Sequence, residues 1–137
     1  MNNFIAIGQA LSKFQLIEGA LKAFLVKHQI EQDKLNKNSK VFYSIAKHND
    51  ISYGVLLKRY KKIGIDQSWL NRLFELKDYR NYLAHQAFIA NLENVDSGFK
   101  QFLGVNPILI DYDLLNKELD ECVDLMIEEY DLLVKNP

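Results

Sequence analysis

Cysteine is almost absent. The single Cys122 excludes an internal disulfide and a cysteine-built metal site. Proline occurs twice and glycine six times in 137 residues, too few for the many tight turns of a β-rich chain. No apolar run approaches the ~20 residues that a membrane-spanning helix needs. Met1 to Leu11 lacks a basic start followed by an unbroken apolar block, so it does not read as a signal peptide, and a cytoplasmic location is expected. Internal repeats, low-complexity tracts and a glycine-rich phosphate loop are missing as well. The three His residues stand on separate segments without paired spacing, so neither a metal site nor a cofactor is expected.

What is present is an ordinary globular composition, 48% hydrophobic and 26% charged, rich in helix formers. It reads as one all-α domain over residues 1–137, an up-and-down bundle of four main helices plus one short helix. The net charge of −1 hides a polarity along the chain. Residues 1–80 hold 14 Lys and Arg against 7 Asp and Glu, whereas residues 81–137 hold 3 against 11. Either basic and acidic helices satisfy one another side by side, or the basic half offers a face to RNA.

Phe4, Ile7, Leu11, Phe14, Glu18, Leu21, Leu25 and His28 recur at steps of three and four, predicting a first helix from Asn3 to Gln29. Glu18 sits in the middle of that apolar stripe. It needs a buried ion pair, with Arg80 the first candidate, or a tilt of the stripe so that Ile17 and Phe24 take over. His28 reads as a helix-end residue near water. Residues 31–40 read as a polar linker ending at a Ser39 cap, before a short helix with Val41, Phe42, Ile45 and Ala46 that stops near His48.

Asp50 can cap a third helix through Lys62, with Leu56, Tyr60 and Ile63 inward, joined by Ile51 or Val55. Its Lys58, Arg59, Lys61 and Lys62 form the densest basic cluster, either a solvated face or a contact for a phosphate backbone. Gly64 marks a stop, and Asp66 or Ser68 a new cap for a fourth helix to Ile89. Trp69, Leu73, Leu76, Leu83 and Ala87 make its seam, and Arg80 lies on the same seam. Periodicity then lapses from Ala90 to Asp111, apart from a helical turn at Phe99–Leu103 and a short extended piece at Ile108–Ile110. A connection this long is often functional, and it is expected to wall the site. The last helix, from Asp113 to Val134 with Asp111 or Asp113 as cap, carries Leu115, Leu119, Cys122, Val123, Met126, Ile127, Tyr130 and Leu133 on its apolar face. Cys122 is then a buried core thiol.

The chemistry concentrates in Asp78-Tyr79-Arg80-Asn81-Tyr82-Leu83-Ala84-His85-Gln86-Ala87-Phe88. Asn81 and His85 stand at i and i+4 on one helix face, and Arg80 is one position back. A permanent cation, an amide and an imidazole that titrates near neutrality suit a phosphodiester. The Arg can hold anionic oxygens, the His can move a proton, and the Asn can orient either. Tyr79, Tyr82 and Phe88 surround the trio as core aromatics or as a wall for a base.

Arg80-Asn81-x-x-x-His85, with the small Ala84 before the His, on a late helix of a small all-helical chain resembles the HEPN superfamily. Many of its members are metal-independent ribonucleases. The resemblance covers the motif closely and the remainder at the level of helix layout. It implies an endoribonuclease, of toxin or defence type, that leaves 2′,3′-cyclic phosphate and 5′-hydroxyl ends. Arg80, Asn81 and His85 would be catalytic, with Glu18 and Tyr82 supporting. RNA, a second copy in a homodimer and an antitoxin protein are the implied partners. Toxin members paired with a nucleotidyltransferase often carry Tyr two residues after the His, where this chain has Ala87. Two further readings are a non-catalytic module of the same type that binds a nucleotide, RNA or protein, and a helical interaction protein with Arg80 and His85 structural.

Overall fold

A computed structural model of the chain describes residues 3–35, 52–62 and 68–135. Seven helices occur among them: α1 Phe4–Leu35, α2 Tyr53–Lys62, α3 Ser68–Glu75, α4 Lys77–His85, α5 Ala87–Ala90, α6 Ser97–Phe102 and α7 Tyr112–Lys135. No strand occurs among the described residues, so the chain is all-helical there. None of these helices is long and apolar enough to cross a membrane.

The first helix outruns its expected end at Gln29 by six residues. Glu31, Gln32, Lys34 and Leu35 are good helix formers, and neither Gly nor Pro intervenes, so the start of the expected linker is helical. The short helix expected after Ser39, with His48 at its end, lies outside the described residues, as do Ile51, Ile63, Gly64 and Asp66. Ser52 caps α2, its hydroxyl accepting the Val55 N–H at 3.4 Å, where the sequence pointed to Asp50. Of the two caps expected for α7, Asp111 serves: its carboxylate accepts the Leu114 N–H at 3.1 Å.

The expected fourth helix is divided into α3, α4 and α5 by departures at Leu76 and Gln86. Gln86 carries the larger backbone change (φ −130°, ψ −29°). Backbone bonds from Arg80 N to Leu76 O and from Ala90 N to Gln86 O carry the direction across both breaks. Trp69, Leu73, Leu76, Leu83 and Ala87 all stay buried, as their spacing required.

Side-chain pairs give the directions. Phe4 packs on Phe88, Glu18 on Arg80 and Phe24 on Trp69, so the α3–α5 path runs against α1. Asn116 bonds the Ala6 carbonyl, Lys13 meets Asp120, and Phe24 shares a groove with Met126, so α7 runs with α1. Tyr53 lies edge-on to Phe14, and Tyr60 packs on Trp69 at the level of Phe24, which makes α2 parallel to α1 as well. From α2 onward the direction therefore alternates. Residues 36–51, which join α1 to α2, lie outside the described residues.

The core is built on Ile7, Ala10, Phe14, Ile17, Leu21 and Leu25 of α1. The stripe has tilted: Ile17 occupies the seam, and Glu18 stands at its edge. On α2 the inward residues are Tyr53, Leu56, Leu57 and Tyr60, while Val55 faces out. On α7, Tyr112, Leu115, Leu119, Cys122 and Met126 are buried, whereas Ile127 and Tyr130, expected inward, are half-exposed. Burial raises the Cys122 thiol pKa.

Candidate active site on the motif helix

Arg80 turns away from solvent toward α1. Its Nε donates to Glu18 Oε1 at 2.7 Å, and the two side chains are only 23% and 15% exposed. The ion-pair option for Glu18 holds, and the tilt holds at Ile17 but not at Phe24, which is only partly buried while Leu25 keeps its place in the core. Bonding through Nε leaves the terminal guanidinium nitrogens for a second anion. Beneath the pair, the Tyr53 hydroxyl donates to the Leu73 carbonyl at 2.9 Å. Burial raises the Tyr53 phenol pKa, and the nearby Cys122 and Glu18 add to the shift.

Asn81 and His85 are exposed, one turn apart on α4, with His85 its last residue. Five residues separate Arg80 from His85, about 140° around the axis, so the guanidinium and the imidazole leave the helix in different directions. One chain does not fold them into a shared enclosed pocket. A cavity of about 110 Å³ beside Tyr79, between Leu76, Ile110, Leu114, Leu115 and Glu118, is lined by none of the three motif residues.

Tyr82 is buried, and its hydroxyl accepts the Ile108 N–H at 3.3 Å. This bond ties the 91–111 connection to the motif helix. Tyr79 and Phe88 are partly exposed, Phe88 with its ring 5.8 Å from that of Phe4. The connection is itself built. α6 ends at Gly104, whose φ of +80° suits glycine, with Gly104 N bonded to Gln101 O and Val105 N to Lys100 O. The extended piece expected at Ile108–Ile110 forms no strand.

Lys58, Arg59, Lys61 and Lys62 are all exposed on α2, and Lys61 lies over the Phe74 ring at 5.8 Å. α2 packs on α1 and α3. From the paired levels along α1, the cluster stands roughly 20 Å along the bundle axis from His85. It is a separate surface and not part of the trio.

Three features escaped the sequence reading. The Lys100 ammonium bonds the Ala90 and Leu92 carbonyls at 2.8 and 2.6 Å, closing the end of α5. Glu129, taken as part of the solvent face, is partly buried and accepts the Tyr60 hydroxyl at 3.2 Å. Burial raises its pKa, while the Tyr60 hydroxyl and the nearby Trp69 indole act the other way. His28 is not at a helix end, and its Nε2 is buried without a hydrogen-bond partner among the described residues. On the charge question, Lys13 pairs with Asp120 at 3.0 Å and Arg72 with Glu121 at 2.7 Å, so basic and acidic helices do meet.

Among the described residues no three His, Cys, Asp or Glu side chains gather as metal ligands would. No protein-family model matches the chain, and no curated protein or solved structure matches it.

Proposed function

We propose that this protein is an endoribonuclease of HEPN type that needs no metal ion, with the four-main-helix, up-and-down layout of that superfamily. The observation that carries the reading is the Glu18–Arg80 pair beside exposed Asn81 and His85. A fixed cation with free terminal nitrogens and a solvent-facing imidazole are the two groups that strand cleavage requires.

The chemistry is a transesterification. The 2′-oxygen next to the scissile phosphate attacks phosphorus, its proton passes to a His85 imidazole, and the 2′-O–P bond forms. The P–O5′ bond breaks, and O5′ takes a proton from an imidazolium. Arg80 neutralises the extra charge on the non-bridging oxygens, where a planar, permanent cation is worth most. Asn81 orients His85 from one turn away. Products are a 2′,3′-cyclic phosphate and a 5′-hydroxyl, and DNA is inert for want of the nucleophile.

The 140° divergence of Arg80 and His85 favours a homodimer with α4 near the two-fold axis. The second copy then brings its own pair to the same phosphate, and base and acid come from different chains. Lys58, Arg59, Lys61 and Lys62 hold the RNA backbone farther away. The test is end-group analysis of RNA incubated with the protein in EDTA, where cyclic phosphate ends are expected and hydrolysed 3′-hydroxyl ends would exclude the mechanism.

The absence of the three motif residues from the cavity beside Tyr79 favours a second reading, a non-catalytic module that binds RNA, a nucleotide or a protein. Tight RNA binding without strand cleavage would select it. An antitoxin partner and a toxin or defence role belong to the first reading.

A further inference from the structure

The connection after the motif helix carries an apolar ridge. Phe99, Phe102, Leu103, Ile108 and Leu109 are all about half-exposed or more, with Phe102 at 83% and Leu109 wholly exposed. The Phe99 and Phe102 rings stack, centroids 6.4 Å apart. Summed over the five, these side chains expose on the order of 600 Å² of apolar surface, most of one ~800 Å² side of a stable interface.

The ridge is held rigidly. Lys100 clamps its start to the Ala90 and Leu92 carbonyls, buried Val105 follows the Gly104 turn, and Tyr82 holds Ile108. Its surroundings are acidic. Glu93, Asp96, Asp111 and Asp113 flank it along the chain and are exposed, and the only Lys or Arg between residues 81 and 116 is Lys100, whose ammonium is spent on those carbonyls. A two-fold contact of this face with its own copy would set acid against acid.

We infer that the ridge docks a protein segment that is both apolar and cationic, an amphipathic helix with aliphatic anchors flanked by Lys or Arg. Docked there it sits near α4, to which Ile108 is bonded through Tyr82. This goes beyond the proposed function and stands whether or not RNA is cut.

The test uses the full chain and a fluorescent Leu/Lys amphipathic peptide, with a Leu/Glu peptide of the same pattern, followed by anisotropy. The Leu/Lys peptide is expected to bind, more tightly at low salt, and the Leu/Glu peptide not to bind. Phe102→Ser with Leu109→Ser should weaken binding at least tenfold, with the helical circular dichroism unchanged because both residues face solvent. Leu16→Ser with Ile127→Ser, in the groove between α1 and α7, should leave it intact. The inference is overturned by no binding, by equal binding of both peptides, or by binding that the Phe102/Leu109 variant keeps. Self-association in sedimentation, or binding to zwitterionic vesicles, that this variant abolishes would also overturn it, by assigning the ridge to a second copy or a lipid surface.

Discussion

Replacing Glu18 by Gln keeps size and shape but leaves the Arg80 guanidinium without its counter-charge. A charge-assisted hydrogen bond contributes about 1.5–3 kcal/mol. The pair keeps some contact with water, at 15% and 23% exposure, which discounts that figure. The expected loss is about 1–2 kcal/mol, or roughly 3–7 °C in Tm for a chain of this length. Urea denaturation of Glu18→Gln, Arg80→Gln and the double variant measures it as a cycle. A coupling of at least about 1 kcal/mol is expected, because each single change strands the other charge. Asp120→Asn serves as the control: it breaks the Lys13 pair, whose carboxylate is 61% exposed, and should cost less than about 0.5 kcal/mol. Additive single effects, or a Glu18→Gln cost no larger than the control, would refute the claim that this pair positions Arg80.

Leu57→Ala should cost about 2–5 kcal/mol, whereas Val55→Ala, two residues away on the exposed side of α2, should stay within about 0.5 kcal/mol in the same assay. Gly104→Ala should destabilise by about 1–2 kcal/mol, since a Cβ is strained at φ +80°. Glu129 has a folded-state pKa above its unfolded value, so the native state binds the proton more tightly. Its contribution is then fully present below the unfolded pKa and is lost as pH rises through the folded one. Glu129→Gln should therefore raise Tm relative to wild type more at pH 7 than at pH 4, and an equal change at both pH values would contradict this.

The meeting of Glu18 and Arg80 was legible because each interrupts an otherwise apolar seam with the opposite charge. Two seams that pack must bring such residues together or leave both stranded. The buried residues from Trp69 to Ala87 were legible for the same reason, since the three-to-four spacing survives the breaks at Leu76 and Gln86. The breaks themselves were not, because neither position holds Gly or Pro. On α7 periodicity marked a broad apolar face, but which edge is covered depends on its neighbours. Tyr112 is buried and Ile127 is not. Glu129 read as surface because its donor Tyr60 and its neighbour Trp69 lie about 60–70 residues away in sequence. Lys100 gave no local signal, since its partners are carbonyls.

The central claim is that His85 and Arg80 cut RNA, and single-turnover cleavage of a labelled single-stranded RNA in EDTA tests it most directly. Removing one positioned catalytic group commonly costs ~10²–10⁴ in rate. His85→Ala and Arg80→Ala should each lose at least that much while the circular dichroism spectrum keeps its helical form. Cleavage that survives His85→Ala unchanged, or that stops in EDTA, would contradict the account.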